Sequence, residues 1–139
     1  MLNRIITALI IFAAPIVYSQ TMVCSPLPAD APSHTMTPKV TGVDNNNGSG
    51  VTRISFDLVS IPHTSSRIDS VSAVFDGHRI LAEDIDGVDF KCYFQWEDDG
   101  VIPVEVDFKR QQHFLPTDSV TFHTVHGNYS VSLLHLVKH

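Results

Sequence analysis

Most of the features that announce a particular chemistry are missing from this chain. Nine lysines and arginines stand against fifteen aspartates and glutamates. That is too little positive charge to track a phosphate backbone or an anionic membrane surface, so neither is expected as the main partner. No glycine-rich phosphate loop, nucleophile elbow or paired acid motif occurs, and no residue is nominated as catalytic. Helical periodicity and internal repeats are also missing. There are two cysteines, which allow one bridge at most.

No apolar run is long enough for a comfortable membrane span. The longest, Ile5 to Val17, follows Arg4 and ends in Val17-Tyr18-Ser19, which presents small residues at Val17 and Ser19 where signal peptidase would cut. Residues 1–19 therefore read as a signal peptide, with the mature start at Gln20. The expected location is extracellular, or periplasmic if the producing cell is bacterial, with no membrane attachment after cleavage. Such a compartment permits disulfides, and Cys24 to Cys92 is the one intramolecular pairing available. Residues 20–38, proline-rich from Pro26 to Pro38, are expected to run extended over the surface. Residues 39–139 then form a single domain.

What is present is alternation. Phe90, Cys92, Phe94 and Trp96 alternate with polar residues, as do Ile102, Val104, Val106 and Phe108. For both apolar sets to share a face, a hairpin here needs a three-residue loop, Asp98-Asp99-Gly100, with Gly100 left-handed in a bulge. That register pairs Trp96 with Ile102, Phe94 with Val104, Cys92 with Val106 and Phe90 with Phe108. Lys39 to Val43 reads as an edge strand, and Arg53 to Ile61 as a strand with Ile54, Phe56 and Leu58 inward. Asp76-Gly77 fits a two-residue type I′ turn that pairs Phe75 with His78, Ala73 with Ile80 and Val71 with Ala82. A third hairpin is expected around Gly127-Asn128, grouping Val120, Phe122, Val131, Leu133 and Val137. The sum is an antiparallel β-sandwich of seven to eight strands with immunoglobulin-like or fibronectin-like topology and one disulfide. The pattern does not assign strand order.

Eight histidines raise the question of a metal. His123 and His126, three apart on one strand, would face opposite ways, and His123 would look outward across from Ser132. His135 and His139 share a face, but His139 is the terminal residue. No metal or other cofactor is expected. Asp84-x-Asp86-Gly87-x-Asp89 lacks the third acidic position and distal glutamate of a calcium loop. Asn47-Gly48-Ser49 and Asn128-Tyr129-Ser130 are glycosylation sequons at turns. Tyr93 and Glu105, outside the Phe90–Phe108 hairpin, and Leu134 and Leu136, outside the last one, form the expected interaction surface.

The signal segment, Cys24 just inside the mature start, the alternating strands and Cys92 late in the domain together resemble the small single-disulfide β-sandwich effectors secreted by plant-pathogenic fungi. The resemblance covers the whole chain and is one of architecture, with no specific motif shared. It implies a secreted, non-enzymatic protein that recognises a host protein, promoting virulence or triggering immunity, with no cofactor and no functional residue carried over; the chain is expected to be a monomer. A bacterial periplasmic or cell-surface sandwich is the alternative: an adhesin, an assembly factor or an inhibitor. A small secreted enzyme comes third.

Overall fold

The computed structural model describes residues 35–45 and 48–134. The expected signal segment, Cys24 with the rest of residues 20–34, Asn47 with Asn46, and residues 135–139, Leu136 among them, lie outside these. Nine strands follow in order: β1 (Thr37–Asp44), β2 (Val51–Val59), β3 (Ser65–Phe75), β4 (His78–Leu81), β5 (Asp84–Asp86), β6 (Tyr93–Gln95), β7 (Val101–Lys109), β8 (Ser119–Thr124) and β9 (Gly127–Ser132). They form two antiparallel sheets, β1-β2-β7-β5 and β4-β3-β8-β9, with β6 also paired to β3. The architecture is a β-sandwich, as the alternation implies. Its strand order matches the A-B-E-D and C′-C-F-G sheets of the immunoglobulin plan, with β6 as an added short strand. The strand with no expected counterpart is β5, three residues long and too short to leave an alternation signal; β6 is the extended part of the alternating Phe90–Trp96 run.

The inner faces are those the alternation marks. On β2, Ile54, Phe56 and Leu58 are buried; on β7, Val104, Val106 and Phe108; on β8, Val120 and Phe122. Two edge-on aromatic contacts join the sheets: Phe56 to Phe122 at 5.0 Å and Phe75 to Phe108 at 5.6 Å between ring centroids. The first links the second and eighth strands, the pair that antibody domains join with their inter-sheet disulfide. Here an aromatic pair worth about 0.5–1.5 kcal/mol beyond its burial occupies that place. Polar ties close the ends. The buried Thr52 hydroxyl donates to Asn45 Oδ1 at 2.5 Å and accepts from the Gln111 amide at 2.7 Å.

The β3–β4 turn is as expected. Asp76 and Gly77 both have positive φ (53° and 79°), Phe75 faces His78 and Ala73 faces Ile80, and the Ala82 amide donates to Val71 O at 2.8 Å.

Two expected hairpins differ. The Phe90–Phe108 hairpin does not form. β6 pairs with β3, Phe94 opposite Ser66, whereas β7 lies between β2 and β5 in the other sheet. Alternation fixes which face of a strand is apolar, but says nothing about which strand lies beside it. Lys91, at φ 63°, also interrupts the run, leaving only Tyr93–Gln95 extended. The chain crosses between sheets through a turn in which the Gly100 amide donates to Glu97 O (3.0 Å). Gly100 is left-handed as expected, at φ 65°, for a different reason. It sits against the Ser60 carbonyl, where a Cβ would clash, and its own carbonyl accepts from the Ser60 amide (2.9 Å).

In the last hairpin the turn is Val125-His126, not Gly127-Asn128, with Thr124 opposite Gly127. The Thr124 hydroxyl holds it, donating to Gly127 O (2.8 Å) and accepting from the His126 amide (3.1 Å). The register therefore moves by an even number of residues. Inner faces are kept, with Val120 opposite Val131, but His123 faces Asn128 instead of Ser132.

Candidate interaction faces

The outer faces of the two sheets differ sharply in charge. On β1-β2-β7-β5 the registers align Asp44, Arg53, Asp107 and Asp84 in one row, and Ser55, Glu105 and Asp86 in the next. Five carboxylates thus surround one guanidinium. Arg53 donates Nε and Nη2 to the two Asp107 oxygens at 2.7 and 3.0 Å, and its Nε lies 4.0 Å from Glu105. The hydrogen bond to Asp107, then the charge of Asp107, hold Arg53 protonated well above the usual arginine range.

The outer face of β4-β3-β8-β9 is close to uncharged. Its rows read Arg79, Val74, Ser119, Ser132; then Leu81, Ser72, Thr121, Ser130; then Ser70, His123, Asn128. The serines, threonine and asparagine hold one another. His123 Nε2 lies 2.8 Å from the Ser72 hydroxyl, and His123 Nδ1 lies 3.1 Å from Asn128 Oδ1. The Thr121 and Ser130 hydroxyls are 2.7 Å apart. With Asn128 Oδ1 accepting, Nδ1 carries a proton, and in the neutral ring Nε2 accepts from Ser72. Leu81, at 58% exposure, stands at the rim.

Ser72, His123 and Asn128 have the connectivity of a nucleophile, a base and an orienting group. Ser72 is only 3% exposed, and Ser72 and His123 lie within paired strands. What the arrangement does provide is a set of side chains fixed before any partner arrives. Sequence reading missed this trio because it depends on the β8–β9 register. A turn placed at Val125-His126 would have set Asn128 opposite His123.

The expected surface residues are dispersed. Tyr93 is half-buried on β6, with Arg67 stacked 5.2 Å from its ring centroid; Arg67 is in turn paired with Asp69 at 2.7 Å. Tyr93 lines a groove of about 520 Å³ with Val88, Phe94, Val101 and Pro103. Glu105 is on the acidic face of the opposite sheet, because the hairpin that would have joined it to Tyr93 is absent. Leu134, 48% exposed, follows β9. Asn128 is exposed at the start of β9. Among the described residues, no three histidine, cysteine or acidic side chains are grouped to hold a metal ion. Asp84 and Asp86 lie on an edge strand rather than in a loop.

Comparison with protein-family models, with curated proteins and with solved structures gives no match.

Proposed function

We propose that the chain is a secreted, non-enzymatic binding protein that acts by protein–protein recognition, with the outer face of β4-β3-β8-β9 as its contact surface. The observation that carries this is the nearly uncharged face on which Ser72, His123 and Asn128 are hydrogen-bonded together and Thr121 is hydrogen-bonded to Ser130, rimmed by the exposed Leu81. Interface centres are depleted in charge, and side chains already held in place lose less freedom on binding. The acidic opposite face serves solubility and long-range steering toward a basic partner. In this reading the partner is a host protein, as the resemblance to secreted fungal effectors implies. A bacterial adhesin, assembly factor or inhibitor is the second reading.

The signal segment 1–19 and the Cys24–Cys92 bridge belong to the same proposal. Cys92 is half-buried just before β6, and no described cysteine is a free thiol. Asn128 bears on the choice of face. A glycan on its Nδ2 would rise from the β9 edge of the proposed surface, beside His123, so the reading requires this sequon to be unoccupied in the active protein.

The test is capture of partners with the mature chain, followed by cross-linking and mass spectrometry of the complex. Cross-links concentrated on β3, β8 and β9 support the proposal. Links confined to the acidic face, or turnover of a small molecule without any reproducible partner, overturn it.

A further inference from the structure

Four strands end the two sheets, β1 and β5 in one, β4 and β9 in the other. An edge strand presents unpaired amides and carbonyls, and proteins guard it with proline, charge, irregularity or brevity. Three of the four are guarded. β1 carries Pro38 and Lys39, and its register shifts between Val40 and Gly42. β5 is three residues with an aspartate at each end, and β4 is four residues that include Arg79. β9 has none of these devices. Its six residues, Gly127–Ser132, contain no proline and no charge, and its register with β8 runs without a shift.

The outward groups of β9 follow from its turn. Thr124 and Gly127 close the two-residue Val125-His126 turn as a hydrogen-bonded pair, and such pairs recur at every second residue from there. The Leu133 amide, donating to Asp118 O at 2.9 Å, continues that series. Gly127, Tyr129 and Val131 therefore turn their amides and carbonyls toward β8, while Asn128, Ser130 and Ser132 turn theirs away. Among the described residues, none of these outward backbone groups has a partner. β1 runs near β9 in the opposite sheet but shares no ladder with it. The three outward residues are exposed, and the inward Tyr129 and Val131 are only half-buried, as at an uncovered edge.

We infer that β9 pairs antiparallel with β9 of a second copy of this chain, joining the two β4-β3-β8-β9 sheets into one. Only registers whose paired positions sum to an even number set outward amides against outward carbonyls, and the same condition keeps both inner faces on one side. The register that overlaps the strands completely puts Ser130 opposite its own counterpart and Asn128 opposite Ser132. Each of these pairs exchanges both backbone bonds, and Tyr129 meets Val131 in the intervening pairs, where side chains come closest. An aromatic ring against a β-branched residue is a favourable cross-strand pair. Charge also favours a copy as the occupant. β8 and β9 carry no lysine, arginine, aspartate or glutamate, so the two strands meet without repulsion, although the chain has a formal net charge of −6. Asp84, Asp86, Glu105 and Asp107 lie on the outer face of the other sheet. The contact is isologous and closes at a dimer, which departs from the monomer expected of the sequence. It uses the backbone edge of β9, so it stands whether or not the outer face binds another protein.

Sedimentation of the mature chain, with Asn128 unglycosylated, tests this from about 1 to 500 µM. A reversible dimer is expected, with protection of the Asn128, Ser130 and Ser132 amides from hydrogen exchange that grows with concentration. Ser130→Pro removes an outward amide at the centre of the pairing, where an edge strand accepts proline. Ser130→Lys sets like charges opposite each other, while making the chain less negative overall. Each is expected to weaken the dimer at least about tenfold, and Ser130→Thr to retain it. Ser130→Lys, at an exposed position, decides the matter if proline disturbs the fold. Four results would each overturn the inference: a monomer at every concentration, assemblies larger than a dimer, a dimer whose three amides exchange freely, or a dimer that survives Ser130→Lys unchanged.

Discussion

Replacing Asp118 with alanine is expected to destabilise the fold by about 2–3 kcal/mol. Asp118 is 1% exposed and ties three connections together. Its Oδ1 accepts from the Asp76 amide in the β3–β4 turn at 2.9 Å, and its Oδ2 accepts from the Leu115 amide at 2.8 Å. Its own amide donates to Leu115 O, and its carbonyl accepts from Leu133. Alanine keeps the backbone bonds and removes the two side-chain acceptors. A buried amide left unpaired costs roughly 1–3 kcal/mol. Asp76 is exposed, so water can reach its amide and its share falls at the low end; Leu115 is half-buried and falls nearer the middle. Asparagine restores one acceptor but turns an amino group toward the other donor, so it should fall between wild type and alanine. Urea denaturation, extrapolated linearly with an unchanged slope, measures the difference. The alanine loss corresponds to a fall in Tm of roughly 10–20 °C. A loss below about 0.5 kcal/mol for alanine would refute the bridging role.

Gly100→Ala should cost more than about 1 kcal/mol, because a side chain there is both left-handed and pressed against the Ser60 carbonyl; Gly42→Ala, with no atom nearby and no positive φ, is the matched control in the same denaturation assay. Cys92→Ala should lower stability by up to about 4 kcal/mol if the bridge to Cys24 closes its long loop, and thiol titration of the unfolded, unreduced wild type should find no free thiol. Arg53→Gln should be destabilising at low ionic strength, with the penalty shrinking as salt screens the carboxylates left unopposed around it. Because the protonation of Arg53 is favoured by folding, its contribution is fully present below the unfolded arginine pKa and is lost only as pH rises through the higher folded value. Titration of Arg53 therefore adds no pH dependence near neutrality, and denaturation curves for wild type and Arg53→Gln across that range check this.

The inner faces of the strands were legible because a period of two, repeated over Ile54, Phe56 and Leu58 or over Val104, Val106 and Phe108, leaves few alternatives. The β3–β4 turn was legible because Asp76-Gly77 requires two positive φ angles in succession, and few sequences supply them. Partnership was not legible. Nothing in Phe90–Trp96 says that it belongs with β3, and its nearness in sequence to β7 suggested a hairpin that the sheet crossing at Glu97–Gly100 prevents. Register in the last hairpin turned on a single threonine hydroxyl, that of Thr124, competing with the stronger turn signal of Gly127-Asn128. The candidate face inherits these difficulties. Ser72 and His123 are 51 residues apart, and only the pairing of β3 with β8 and of β8 with β9 assembles them with Asn128. The acidic face was hidden for the same reason, since its carboxylates come from three strands.

The central claim is that recognition runs through the uncharged face around His123 and Leu81, and a comparison of two single-site variants in a partner-binding assay tests it most directly. Leu81→Asp places a charge on the exposed rim of that face, and Asp84→Lys reverses a charge on the acidic face; both positions are exposed, so both variants should fold. The expected result is that Leu81→Asp abolishes binding, while Asp84→Lys changes mainly the association rate and its salt dependence. Binding that survives Leu81→Asp and fails with Asp84→Lys would contradict the account.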